Sequence, residues 1–181
     1  MVERPRDEAG RALNPRPRDR FGRPLPMGSV GVPRIPDDLN LPPQQTLTLA
    51  QQLLDDGLAF NAHEVLEAAW KNGPFAERML WQGLAQYAVG LTHIQRGNPK
   101  GARTLLTRAV GRLRAYEPDD SRNSDNGSHG DGTDNSTEPG NRALPYDIDG
   151  AGLIARAETL LAALDAGGAI TEDDLKPRLR V

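Results

Sequence analysis

The chain has 181 residues and no cysteine, its formal net charge is −3, and 37% of its residues are hydrophobic. The lack of cysteine excludes disulfides, cysteine-ligated zinc and a thiolate nucleophile. No stretch approaches the roughly 18 consecutive apolar residues of a membrane helix, and the Arg- and Pro-rich start lacks the apolar centre of a secretory signal. We therefore expect a cytoplasmic protein with no membrane partner.

Proline and acidic residues divide the chain into parts. Nine of the 15 prolines fall in residues 1–43, which predicts an extended, Arg/Pro-rich arm. Residues 117–141 hold seven acids against one arginine and no strongly apolar side chain, which is typical of a disordered acidic insertion. One helical domain at 44–167, interrupted by that insertion, and a C-terminal tail at 168–181 account for the rest.

The arm is basic, with eight arginines against four acids in residues 1–36, a local balance of +4. A basic arm is one signature of a nucleic-acid contact. Here, however, arginine alternates with proline, glycine and acids, and Phe21 is nearly the only aromatic residue among them. This pattern favours an arm that packs against its own domain over one that binds nucleic acid.

Apolar residues at helical spacing predict five main helices and no strand. The first four lie near 44–57, 60–71, 75–96 and 99–116, the fifth begins after Asp149 and ends at Gly167, and a last short turn begins at 171–174. Asn98 and Asp149 are of the types that cap a helix N-terminus. The predicted fold is all-α, a compact bundle of about five helices with an extended N-terminal arm.

The helix near 75–96 is apolar around most of its circumference, which predicts that it lies buried at the centre of the bundle. Gly83 and Gly90 are seven residues apart on one face of it. Glycine inside a helix costs about 1 kcal/mol relative to alanine. Two aligned glycines therefore indicate that another backbone comes close at that face.

Polar side chains interrupt two of the apolar helices at helical spacing. Steps of three or four place Phe60, His63, Glu67 and Trp70 on one face of the second helix, with Glu64 beside them. The third helix carries a polar stripe that consists of Arg78, Gln82, Gln86, His93 and Arg96. Since unpaired polar groups are costly to bury, we expect the polar residues of the second helix and those of the stripe to converge where the two helices pack. The resulting semi-buried polar centre consists of His63, Glu64, Glu67, Trp70, Arg78, Gln82, Gln86 and His93.

Four interpretations remain open, three for these residues and one for the arm or the acidic insertion. The first is a hydrogen-bond network that fixes helix register, a structural role. The second is a divalent transition-metal site for Zn²⁺, Fe²⁺ or Mn²⁺, with His63, Glu67 and His93 as ligands. The third is a metal-free pocket in which Glu64 or Glu67, with His63 or His93, performs acid–base chemistry on a small molecule or binds a small polar ligand. The fourth is an interaction module that uses the arm or the acidic insertion, and a homo-oligomer also remains open.

Three motifs in the same order resemble a known family. They are Phe60-x-x-His63-Glu64-x-x-Glu67-x-x-Trp70, then Gln82-Gly83-Leu84-x-Gln86-x-Ala88, then His93-x-x-Arg96-Gly97-Asn98-x-x-Gly101-Ala102. Over about residues 47–114 the chain is similar to the bacterial and archaeal family called domain of unknown function 309, and its arm resembles the actinobacterial members. The resemblance implies a compact helical bundle with a buried central helix, and it implies no particular reaction. The acidic insertion departs from the family pattern.

Overall fold

The computed structural model describes residues 16–116 and 144–181, and it confirms the all-α fold. The helices are α1 (Pro43–Asp55), α2 (Ala59–Asn72), α3 (Arg78–Gln95), α4 (Pro99–Ala115) and α5 (Gly150–Ala166). Short 3₁₀ turns stand at Phe75–Glu77, Pro145–Asp147 and Asp173–Leu175. The described ranges hold no strand, only two isolated bridges, Arg18 with Pro24 and Ile148 with Arg180. The predicted insertion at 117–141 lies outside the described residues, as do the first 15 residues of the arm.

Both predicted helix caps are confirmed. The Asn98 side chain accepts a hydrogen bond from the Gly101 N–H at 3.0 Å, and the Asp149 side chain accepts one from the Gly152 N–H at 2.8 Å. Each bond satisfies a backbone donor that the first turn of a helix leaves without a partner. The third helix begins later than predicted, because residues 75–77 form a separate 3₁₀ turn before Arg78.

The helices pack mainly in chain order, α1 on α2, α2 on α3, α3 on α4 and α4 on α5. Helix α3 is the central element, as the apolar sequence predicted, and ten of its 18 residues are buried. Apolar side chains from all five helices and from the C-terminal tail form one core. Its most completely enclosed members include Leu47, Leu66, Leu80, Leu91, Leu106 and Leu153.

The aligned glycines of α3 face α4, as their spacing predicted. A Cβ atom added to Gly90 would stand 2.8 Å from the Leu106 side chain, and one added to Gly83 would stand 3.2 Å from the Arg112 Cβ. The two helices therefore approach more closely than larger side chains at these positions would allow.

The C-terminal tail returns to α1. The side-chain amide of Gln51 donates to the Pro177 carbonyl at 3.1 Å, and its oxygen accepts from the Leu179 N–H at 2.8 Å. Leu175 and Leu179 are buried in the core. Across residues 16–116 and 144–181, no helix combines the length and apolar character that crossing a membrane requires.

Candidate functional site

The outer face of α2 carries a row of polar and aromatic side chains at helical spacing. The Phe60 and His63 rings are tilted against each other with centroids 5.8 Å apart. His63 Nε2 lies 3.7 Å from a Glu67 carboxylate oxygen, and the other Glu67 oxygen lies 3.0 Å from Lys71 Nζ. The i, i+4 steps of the helix thus bring His63 and Glu67 together, as the sequence predicted.

The environments of His63 and Glu64 shift their pKa values towards each other. Burial lowers the pKa of His63, against the opposing negative charge of Glu67. Burial raises the pKa of Glu64, and the nearby charges of Arg18 and Arg34 oppose that shift. In both groups burial disfavours the charged form, so each is more easily neutral than in water. His63 Nδ1 is buried with no hydrogen-bond partner among the described residues.

The described part of the arm lies over this end of α2 and the adjacent C-terminus of α3. The guanidinium groups of Arg18 and Arg96 lie 5.5 and 5.6 Å from the centre of the Phe60 ring. The Asn61 amide donates to the Pro33 carbonyl at 3.0 Å, and Arg96 Nε donates to the Phe21 carbonyl at 2.7 Å. Residues of α2 and α3 therefore attach the arm through both ring and backbone contacts.

Gly22 completes this attachment. Its φ of +74° lies in the left-handed region, which glycine adopts without steric cost. Its Cα packs directly on the Phe60 ring, so an added Cβ would overlap that ring. Position 22 thus requires glycine for two separate reasons.

The polar stripe of α3 differs from the expected arrangement, because part of it faces α4. Arg112 Nε of α4 donates to the Gln86 side-chain oxygen at 3.0 Å. The Asn98 amide nitrogen lies 3.1 Å from His93 Nδ1, at the start of α4. The expected convergence of His63, Glu67, Gln82 and His93 is therefore not what the structure shows. Gln86 and His93 lie beside the glycines that pack on α4, so their side chains interact with Arg112 of α4 and with Asn98 at its start.

The remaining predicted residues are dispersed. Gln82 is half-buried, and its side chain forms no hydrogen bond within the described ranges. Trp70 is half-buried and packs against the apolar core. Arg78 is exposed at the start of α3, with its guanidinium 5.8 Å from the Phe75 ring centre. The described part of the chain contains no group of three or more His, Cys, Asp or Glu side chains arranged to hold a metal ion, and His63, Glu67 and His93 do not form one.

A second polar centre, which the sequence interpretation missed, lies at the opposite end of α2. Glu77 is only 3% exposed. One of its carboxylate oxygens accepts from Trp81 Nε1 at 3.0 Å, and the other accepts from the Tyr146 hydroxyl at 2.6 Å. The Trp81 and Tyr146 rings stack with their centroids 6.1 Å apart. The buried carboxylate thus accepts from one donor that is four residues away and from another that is 69 residues away in the chain.

A cavity of about 410 Å³ opens beside this second centre, and Glu77 and Trp81 form part of its wall. Its other walls come from the segment before α1, the first turn of α1 and the C-terminal half of α2. These walls include Leu41, Pro42, Pro43, Val65, Ala68 and Ala69. The volume falls in the range of small-molecule sites, which is about 300–1,000 Å³.

One signal for this centre was present in the sequence. Glu77 and Trp81 have the i, i+4 spacing at which side chains of one helix meet. Tyr146 carried no such signal, because 69 residues separate it from Glu77. Its position depends on a left-handed backbone at two consecutive non-glycine residues, Tyr146 with φ +62° and Asp147 with φ +59°.

A third feature is a set of four arginines around two phenyl rings, here called the arginine cluster (Arg18, Arg20, Arg23 and Arg96). Arg20 and Arg23 lie 5.4 and 5.7 Å from the Phe21 ring centre, and the other two lie over Phe60. None of the four forms an ion pair with a carboxylate within the described ranges. Burial, together with the charges of Arg23 and Arg18, lowers the pKa of Arg96. The cluster is therefore a region of concentrated positive charge.

Comparison with known proteins agrees with the motif resemblance. The protein YpuF of Bacillus subtilis (strain 168), itself described as uncharacterized, is 40% identical over 57 residues, which are 31% of this chain and 33% of that relative. The chain thus spans about a third of the length of the curated relative it matches. No solved structure matches it. The family model described as Domain of unknown function (DUF309) matches residues 47–105, which run from α1 into α4 and include the polar residues of α2 and α3.

Proposed function

We propose that this protein is a binding domain whose α2 polar face is structural and whose arm offers the arginine cluster to an acidic protein segment. The observation that carries the proposal is the clustering of four guanidinium groups around Phe21 and Phe60 without a carboxylate partner in the described residues. Guanidinium groups bind carboxylates through paired, charge-assisted hydrogen bonds. A segment rich in Asp and Glu would supply the missing counter-charges.

The row on α2 supports a structural role for the polar centre. Phe60 lies under Arg18, Arg96 and Gly22, while His63 packs against its ring edge. Side chains used in this way hold the arm on the helix. The neighbouring Glu67 pairs with Lys71, a contact between side chains that are 32% and 60% exposed. Such exposed pairs add at most about 1 kcal/mol.

An acidic protein fits the arginine cluster better than a nucleic acid does. Single-stranded nucleic acids bind by stacking bases on aromatic faces. Both rings of the cluster already carry two guanidinium groups each, which leaves less ring face for a base.

Fluorescence anisotropy of a labelled glutamate-rich peptide tests this proposal. We expect the full chain to bind the peptide at low salt, and the double variant Arg20→Ala/Arg23→Ala to bind at least about tenfold more weakly. Arg108→Ala/Arg178→Ala is the matched control, because it removes the same charge from two other exposed positions. Equal weakening in both variants, or tighter binding of a single-stranded RNA through Arg20 and Arg23, would contradict the proposal.

An acid–base enzyme is the second candidate, and the opposite pKa shifts of His63 and Glu64 favour it. A carboxyl group whose pKa rises towards neutrality, beside an imidazole that stays neutral, is suited to proton transfer near pH 7. If the protein is such an enzyme, it converts some small molecule, and both His63→Asn and Glu64→Gln should abolish that turnover without changing the fold. Retained turnover in either variant would exclude it.

The metal alternative and the cytoplasmic location are also open to direct measurement. Metal analysis of protein purified without a chelator or an affinity tag would reveal a bound transition metal. One equivalent of metal per chain in the unchanged protein, and none in His63→Ala, would support a metal site at His63. Fractionation of cells that produce the full chain tests the proposed cytoplasmic location.

A further inference from the structure

We propose that a crevice between α1, the Pro145–Asp147 turn and the C-terminal tail binds a small zwitterion, a molecule with one ammonium and one carboxylate group. The crevice has a volume of about 430 Å³, which is within the range of small-molecule sites. None of its walls belongs to the arginine cluster, so the inference does not depend on the proposed function. The walls are Gln51, Asp55, Asp147, Arg178, Arg180 and Val181.

The crevice carries opposite charges in equal number, two carboxylates and two guanidinium groups. Within the described residues, no nitrogen–oxygen distance of 4 Å or less joins one of its arginines to one of its aspartates. The Asp147 carboxylate and the Arg178 guanidinium form no ion pair or hydrogen bond at all in that part of the chain. The crevice therefore separates charged groups that a ligand can bridge.

This balance of charge determines the class of ligand. Guanidinium groups bind a carboxylate through charge-assisted hydrogen bonds, and an ammonium group offers three donors to the aspartates. A simple amine would leave the two arginines without a counter-charge, and a simple carboxylic acid would leave the two aspartates without one. A molecule that carries both groups provides a counter-charge for each side of the crevice.

Hydrogen bonds from distant parts of the chain hold the walls in place. Gln51 of α1 binds the backbone of the tail through both ends of its amide. The Val181 N–H donates to the Asp147 carbonyl at 3.0 Å, and the Arg180 guanidinium donates to the Thr48 hydroxyl at 3.1 Å. The walls are thus arranged before a ligand arrives, which lowers the entropic cost of binding.

The backbone at Asp147 gives further support. Asp147 and the preceding Tyr146 both have a left-handed φ, and strained backbone of this kind concentrates at ligand sites. Asparagine tolerates the left-handed region as aspartate does. Replacing Asp147 with asparagine therefore removes the charge and keeps a residue that suits this backbone.

A titration followed by backbone amide NMR of the full chain tests the proposal. The probes are three zwitterions of increasing charge separation, glycine, 4-aminobutanoate and 6-aminohexanoate. We expect at least one of them to shift the amide signals of Leu179 and Val181 in a saturable manner. The tightest of the three should bind at least about tenfold more strongly than butylamine and butanoate, which each carry a single charge.

Two variants separate the two halves of the site. Asp147→Asn and Arg178→Gln should each weaken binding of that zwitterion by about tenfold. Asp147→Asn should also strengthen butanoate binding relative to butylamine, and Arg178→Gln should do the reverse, because each variant leaves one sign of charge in excess. A merely structural role would not produce this exchange of preference.

Asp56→Asn and Arg108→Gln are the matched controls, because they remove the same charges from exposed positions outside the crevice. Both should leave the affinity for the zwitterion unchanged, and the NMR spectrum of each variant reports whether it is folded. If a crevice variant fails to fold, the ranking of the five ligands in the unchanged chain still decides the matter. No saturable shift with any zwitterion, or equal affinity for zwitterion, amine and acid, would overturn the proposal.

Discussion

The two ends of α2 hold polar centres of different kinds. At the N-terminal end, His63 and Glu67 are half-buried, belong to one helix and lie beneath an arm that is attached through Phe60. At the C-terminal end, Glu77 is buried, and one of its hydrogen-bond donors, Tyr146, lies 69 residues away in the chain. The polar residues that are conspicuous in the sequence thus lie beside the ring that contacts the arm, and the carboxylate beside a cavity is the less conspicuous one.

The largest expected effect comes from removing the buried carboxylate. Glu77→Ala leaves the Trp81 and Tyr146 donors without their acceptor, and each buried unpaired group costs about 1–3 kcal/mol. We expect a loss of about 2–5 kcal/mol in the free energy of unfolding, measured by urea denaturation. Glu158→Ala on α5 is the control, because that carboxylate is half-exposed and its loss should cost less than about 1 kcal/mol. Similar losses in free energy of unfolding for the two variants would contradict a stabilising role for the Glu77 hydrogen bonds.

Removing the ring beneath the arm should have the next largest effect. Phe60→Ala removes the contacts of one ring with Arg18, Arg96 and His63, and we expect a loss of about 2 kcal/mol. Phe75 is a close control, since it also lies near an arginine but is 84% exposed. Phe75→Ala should cost less than about 0.5 kcal/mol. Equal costs would mean that Phe60 does not anchor the arm.

The sequence predicted most of the fold because its signals were local. The periodicity of apolar residues and the caps at Asn98 and Asp149 depend on neighbours within one or two turns. The direction of the α3 polar stripe depends instead on which helix packs against it. The spacing of Gln86 and His93 showed a shared face without indicating that this face meets α4.

The Glu77 centre illustrates the same limit. The Glu77–Trp81 spacing was available, but an acid at the start of a helix is common because it complements the helix dipole. The partner that distinguishes it, Tyr146, lies beyond the acidic insertion. The division of the chain into an arm, one helical domain and a tail stays a prediction.

Acidification should affect the α2 centre through His63. Burial places the pKa of His63 in the folded protein below its usual value of 6.5, so the unfolded chain binds the proton more strongly. The contribution of His63 is complete above about pH 6.5 and is lost as the pH falls towards the folded pKa. His63→Asn should remove that loss, so the free energy of unfolding should fall less between neutral pH and about pH 5.5 than it does in the unchanged chain. Urea denaturation at the two pH values measures it.

His93→Asn is the matched control for this pH dependence. Burial also lowers the pKa of His93, but the group is much more exposed than His63. Its replacement should therefore change the pH dependence less. A larger change from His93→Asn than from His63→Asn would contradict the assigned environments.

The smallest expected effect concerns the exposed pair of α2. Glu67→Gln removes the ion pair with Lys71 and should lower the free energy of unfolding by about 0.5 kcal/mol or less. The same measurement in about 1 M salt should show almost no difference from the unchanged chain, since salt screens exposed charges. A loss above about 2 kcal/mol that persists in high salt would instead indicate a buried network around Glu67.

The most direct test of the structural role of α2 compares two glycines of the arm. Gly22 and Gly28 both have a left-handed φ, but an added Cβ overlaps the Phe60 ring at position 22 and meets nothing within 4 Å at position 28. Trypsin cleavage of the folded full chain after Arg18 and Arg20, followed by mass spectrometry, reports on the attachment of the arm. The account predicts much faster cleavage in Gly22→Ala than in Gly28→Ala, with unchanged cleavage at Arg112 in α4. Equal cleavage rates at the arm sites in both variants would contradict it.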